Sequence, residues 1–99
     1  MEKAVAKPEY RIVHNEPAGQ WEVKLTDGEI IGYLSYEYLD DSIIFTHTSL
    51  RQEYRGQGIA RDLVQQALAY EEELGEHTIV PACSYVKKVY GGSVAASAE

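Results

Sequence analysis

The sequence predicts an α+β domain: an antiparallel meander of four strands, then a helix, then a fifth strand parallel to the fourth, and a short C-terminal helix. Three observations carry that prediction. Up to Leu50 the apolar residues alternate with polar ones in runs separated by turn residues, the pattern of strands joined by tight loops. From Ile59 the period becomes helical, with Ala60, Leu63, Val64, Ala67, Leu68 and Leu74 on one face and Arg61, Asp62, Gln65, Gln66, Glu72 and Glu73 on the other. A last apolar run follows the helix, which brings it back alongside the fourth strand and makes that pair parallel.

Tyr10-Arg11-Ile12-Val13-His14 alternates weakly as the first strand and is closed by the turn residues Asn15-Glu16-Pro17-Ala18-Gly19. In the second strand, Gln20–Leu25, Trp21, Val23 and Leu25 share one face and Gln20, Glu22 and Lys24 the other. Asp27-Gly28 is the strongest hairpin signal in the chain, because a tight two-residue turn needs positive φ. The third strand, residues 29–39, opposes Ile31, Tyr33 and Ser35 to Gly32, Leu34 and Tyr36, and Asp40-Asp41 turns it into the fourth, Ser42–Leu50. Gly75 is the expected helix stop, since a left-handed residue closes a helix cheaply only without a Cβ. Residues 77–83 form the fifth strand, in which Pro81 has no N–H to donate, so pairing should break there and the two strands should splay. A final helix over residues 84–90 and a mobile tail over 91–99 complete a single domain, 10–90, behind a loose leader, 1–9.

At 99 residues the chain is one domain near the lower limit for folding without staples. With 44% hydrophobic and 25% charged residues it has the composition of a soluble globular protein. No apolar run approaches the roughly 18 residues of a membrane span, so no membrane partner is expected. A single cysteine forbids an internal disulfide and points to a reducing, cytoplasmic setting. A net charge of −7 argues against nucleic acid, whose affinity is carried by Lys and Arg. Nothing in the sequence assigns an oligomeric state. Arg51, Arg55, Arg61, Lys87 and Lys88 gather around the glycine-bearing turn and the final helix, whereas Asp27, Glu29, Glu37, Asp40 and Asp41 sit on the earlier hairpins. That asymmetry suits an anionic ligand at one end and a cationic acceptor at the other, and it equally suits a solvated acidic face.

Between the fourth strand and the helix lies Arg55-Gly56-Gln57-Gly58-Ile59-Ala60. The first N–H groups of a helix lack intrahelical partners and carry partial positive charge, and a turn without bulky Cβ atoms lets a phosphate reach them. A P-loop is excluded, since no Lys-Ser or Lys-Thr pair occurs in the chain. A dinucleotide fingerprint would need a small residue where Arg61 stands and a parallel unit at the first strand. What fits is R-x-x-G-x-A, with Arg55, Gly58 and Ala60 in the defining positions.

With His47-Thr48 before it and Pro81-Ala82-Cys83-Ser84-Tyr85 after it, this order of motifs resembles the GNAT acetyltransferases, in particular a subfamily of small acetyltransferase-like proteins, and the resemblance runs from about Tyr10 to Tyr90. It implies a minimal GNAT fold that binds acetyl-coenzyme A. The loop Arg55, Gly56, Gln57, Gly58, Ile59 and Ala60 would hold the pyrophosphate, and the pantetheine arm would lie in the splay along the main chain of residues 46–50, including Thr48, Ser49 and Leu50. The resemblance also implies a catalytic role for Cys83, which would take the acetyl group and pass it to a primary amine on a small molecule or a protein. His47 would serve as base, and Tyr85 or Tyr90 would protonate the departing thiolate. Two departures from the pattern concern the acceptor side: the first connection is too short for the helix pair of larger relatives, and glycine, serine and alanine replace a His-Pro-containing segment after Tyr90. A cysteine ending an apolar strand also reads as an inert core thiol, and His47 as a core histidine; both pairs of roles stay open here. So do two rival functions, a coenzyme A-binding module without turnover and an acidic protein-interaction domain.

Overall fold

A computed structural model of the chain describes residues 6–98, with side chains described through residue 91. The first five positions of the expected leader, and Glu99, lie outside the described residues. The strands are β1 (Tyr10–Asn15), β2 (Gln20–Leu25), β3 (Ile30–Leu39), β4 (Ser42–Leu50) and β5 (Thr78–Pro81), in one sheet of that order. The helices are α1 (Ile59–Leu74) and α2 (Ser84–Ala98). β1 to β4 pair antiparallel, and β4 with β5 parallel, which is the expected α+β architecture. The link from β1 to β2 is only a 3-10 turn, Glu16–Ala18, closed by Gly19 in the left-handed conformation.

The core is one cluster between the sheet and α1, built on Val23, Leu34, Ile43 and Phe45 from the strands and Ile59, Leu63, Val64 and Ala67 from the helix, with Val86 of α2 added to it. Each Val, Leu, Ile or Phe side chain among these contributes about 1.5–3 kcal/mol on burial, so α1 is held to the sheet by this face rather than by its own propensity. Its termini are both glycines at positive φ, Gly58 at 84° and Gly75 at 65°. Two assignments on its faces differ from expectation. Leu74, expected on the apolar face, is 40% exposed, and Glu71, beside the polar Glu72 and Glu73, is 1% exposed and bonds His77 Nδ1 at 3.1 Å.

β5 is shorter than the run over 77–83: its last rung pairs Pro81 with Phe45, after which the N–H groups of Ala82 and Cys83 both donate to the Phe45 carbonyl, at 3.1 and 3.0 Å. β4 continues to Leu50 without a β5 partner, which is the splay that Pro81 predicts. At the other edge of β4 the register with β3 slips between Ser35 and Tyr36, pairing Tyr36 with Phe45 but Ser35 with His47. Such a bulge inserts one residue and reverses the facing of everything beyond it. α2 runs past Tyr90 to Ala98, where a tail was expected. Gly91 avoids the left-handed conformation that would stop the helix, and the alanines after it are the best helix formers. No described helix is long and apolar enough to cross a membrane.

Candidate functional site

The end of β4, the glycine turn and the first turns of both helices enclose a cleft of ≈ 380 Å³ lined by Thr48, Leu50, Arg55, Gly56, Gly58, Ile59, Ala60, Arg61 and Tyr85. Gly56 and Gly58 have φ of 81° and 84°, and a Cβ added at either would meet nothing within 4 Å, so it would project into open space. The conformation excludes most side chains, and the space beside it is available to a ligand. The first backbone bond of α1 runs from the Asp62 N–H to the Gly58 carbonyl at 3.0 Å, and no side chain caps the helix. The N–H groups of Ile59, Ala60 and Arg61 therefore precede the intrahelical ladder and face the start of the cleft with the positive end of the helix dipole.

The two arginines before the helix do different work. Arg55 Nε donates to the Leu50 carbonyl at 3.0 Å, tying the turn to the end of β4 and leaving its other guanidinium donors at the cleft. Arg51 is paired with Glu29 and Glu53 on the hairpin side. Arg61 lines the cleft although its helical phase placed it on the solvent face: the first turn of a helix is open at its end, so phase alone does not describe what it reaches.

At the splay, Cys83 Sγ lies 3.4 Å from Thr48 Oγ1, and Thr48 in turn lines the cleft. Burial pushes the Cys83 thiol up, but the Thr48 hydroxyl and the nearby backbone N–H groups of Val86, Tyr85 and Thr48 outweigh it and hold the thiol below its ordinary value. Cys83 immediately precedes α2, so two of these donors belong to the first turn of that helix, where a thiolate is favoured. Lys87 and Lys88, further along α2, are exposed and are not among the groups that lower it.

The other expected residues divide. Gln57 sits between the two glycines outside the lining, Ser49 is exposed, and Tyr90 packs against the core rather than the cleft. His47 is exposed and adjoins Thr48 in β4, and successive strand residues face opposite sides of a sheet. Since Thr48 faces Cys83, His47 projects from the other face, and a base role toward Cys83 does not fit this geometry. Strict alternation along β4 would put His47 on the face of Phe45; the bulge opposite Ser35 and Tyr36 is what separates them.

Residues 20–92 match the family described as GCN5-related N-acetyl-transferase. Protein NATD1 of Mus musculus is 35% identical over 81 residues, a match covering 79% of this chain and 71% of that one. Protein NATD1 of Homo sapiens is 35% identical over 81 residues, covering 79% and 69%. Among solved structures, a GCN5-related N-acetyltransferase from Sphaerobacter thermophilus superimposes with a TM-score of 0.57 at 23% identity, over 65% of this chain and 21% of that one, a likeness of fold.

Proposed function

Because the chain belongs to the GCN5-related N-acetyltransferase family, we propose that it binds acetyl-coenzyme A in the cleft at the start of α1 and transfers the acetyl group to a primary amine, with Cys83 at the reacting end. The observation that carries this reading is the pair of left-handed glycines, Gly56 and Gly58, opening onto empty space before an uncapped helix. A diphosphate meets there the N–H groups of Ile59, Ala60 and Arg61, with the guanidinium groups of Arg55 and Arg61 lining the same cleft. The unpaired main chain of β4 beyond Phe45 offers an amide-bearing arm the ladder that β5 leaves unused.

The cofactor supplies an acyl group already activated as a thioester. Cys83 is suited to carry that group between donor and amine, since exchange of an acyl group between thiols is nearly thermoneutral and the thiolate is held by Thr48 and the start of α2. A nucleophilic thiol must stay reduced, which fits a cytoplasmic site of action. The acceptor is an amine of a small molecule or of a protein. The absence of a helix pair between β1 and β2 favours one rival, a module that binds coenzyme A without turnover.

Calorimetry and intact-protein mass spectrometry separate these readings. Wild-type protein is expected to bind coenzyme A and, given acetyl-coenzyme A, to gain one acetyl group that Cys83→Ala does not gain. Gly58→Val should lose the binding, whereas Gly28→Ala, equally strained at φ 93° but on the β2–β3 hairpin, should keep it. Binding with neither self-acetylation nor hydrolysis would leave the module without turnover; no binding at millimolar coenzyme A would overturn both.

A further inference from the structure

The end of the molecule opposite the cleft is acidic and aromatic, and none of the residues that line the cleft lies there. Segments 12–23, 25–50 and 62–86 contain no lysine or arginine. They build the β1–β2 turn with Glu16, the β3–β4 turn with Asp40-Asp41, and the end of α1 with Glu71-Glu72-Glu73. The Thr78 N–H bonds the Asp41 carbonyl at 2.8 Å, which ties the entry to β5, and Glu76 before it, to the same end. α1 has no basic residue in its last turn, so its carboxylates stand against the negative end of the helix dipole without compensation from their own element.

Within this end the rings are fixed and open. Tyr70 meets the His14 and Trp21 rings edge-on, with centroids 5.0 and 5.3 Å apart, and His14 stacks on Trp21 at 4.2 Å. Tyr38 packs against His77 at 4.7 Å and Tyr36 at 5.3 Å. Tyr38 is nevertheless 47% exposed, Tyr70 39%, and Leu74, one helical turn beyond Tyr70, 40%. Beneath them the Glu71 carboxylate is 1% exposed: one oxygen takes His77, and the other has no hydrogen-bond partner among the described residues. Burial pushes the Tyr38 hydroxyl up, against the lowering effect of the neighbouring Tyr36, and the negative fields of Glu71 and Glu16 add to the rise.

We propose that this end is a docking surface for a lysine- or arginine-rich polypeptide segment, whose cations face the carboxylates while their aliphatic stems lie on Tyr38, Tyr70 and Leu74. Exposed apolar surface rimmed by charge of one sign marks a contact site, and the occupant that complements both is a cation on a hydrocarbon stem. The carboxylates come from four separate segments, an array broader than one small cation covers, which favours a polypeptide. The surface lies about 16 Å along α1 from the cleft at the helical rise of 1.5 Å per residue, so it does not depend on the cofactor seat.

A fluorescein-labelled lysine–glycine repeat peptide, titrated by anisotropy near physiological salt with a glutamate–glycine repeat as control, tests this. The lysine peptide alone should bind. Its affinity should fall at least tenfold in Glu72→Lys/Glu73→Lys, where both side chains are exposed and the fold is undisturbed, and in Tyr38→Ala, with coenzyme A binding retained. No binding, equal binding by these variants, loss of binding in Gly58→Val, or displacement by spermine at matched amine concentration would each overturn the proposal, the last by reassigning the surface to small cations.

Discussion

Cys83 shows how a single side chain acquires a chemical character that its position in the sequence only half announces. A thiol at the end of an apolar strand is ordinarily inert, and burial by itself would keep Cys83 protonated. Its surroundings reverse the sign: the Thr48 hydroxyl 3.4 Å from Sγ acts first, and the nearby backbone N–H groups, two of them in the first turn of α2, act with it. A group whose folded value is depressed adds stability that is present above its unfolded value and lost as pH falls through the folded one. Thr48→Val should therefore raise the midpoint of the pH dependence of Cys83 alkylation by iodoacetamide, slow the reaction severalfold at neutral pH, and remove stability only on the alkaline side. A midpoint that stays put would assign the depression to the backbone amides alone. His47, next to Thr48, shows the opposite outcome: its residue type suits a base, and its facing takes it away from the thiol.

At the scale of elements, the signals that depend on local chemistry were legible and those that depend on register were not. Asp27-Gly28, the bounds of β4, the start of α1 at Ile59 and its stop at Gly75 all follow from turn residues and periodicity, and Pro81 alone foretold where β4 and β5 part. The bulge facing Ser35 and Tyr36 has no local signature, because it is a matter of register between two strands, and with it went the facing of His47. Glu71 is a related case: its burial arises from the loop that brings His77 back over α1, a contact no period reveals. Gly32 carries a constraint of the same long-range kind, since a Cβ there would stand 2.8 Å from the Ser49 carbonyl and 2.9 Å from Leu50 Cδ1. Leu50 is a wall of the cleft. Gly32→Ala should thus push the end of β4 outward, costing about 1–3 kcal/mol as overpacked substitutions do, and weaken coenzyme A binding together with stability. Urea unfolding and calorimetry on one sample check both halves, and a loss of stability with unchanged affinity would mean that the strand end moves without the cleft.

Over the whole molecule the charge is divided rather than merely negative. Sixteen acidic residues oppose nine basic ones, yet the only carboxylates paired with an arginine among the described residues are Glu29 and Glu53, both on Arg51 and both exposed. Exposed pairs of this kind contribute little, too little to offset repulsion among the carboxylates gathered at the far end of α1. Salt acts on the two terms with opposite sign: it weakens the few attractions slightly, and it screens the many repulsions that act over distances comparable to the Debye length of about 10 Å at 0.1 M. The repulsive sum is the larger, so raising the salt from roughly 0.05 to 0.5 M at neutral pH should raise Tm. A domain of this size shifts by about 4–8 °C per kcal/mol, which makes even partial relief visible in a thermal melt. Glu72→Lys/Glu73→Lys should raise Tm at low salt and flatten its dependence on salt, because it supplies from within the cations that the end of α1 lacks. A Tm that falls with salt would mean that the Arg51 pairs dominate, and the acidic end would then carry no strain for a basic partner to relieve.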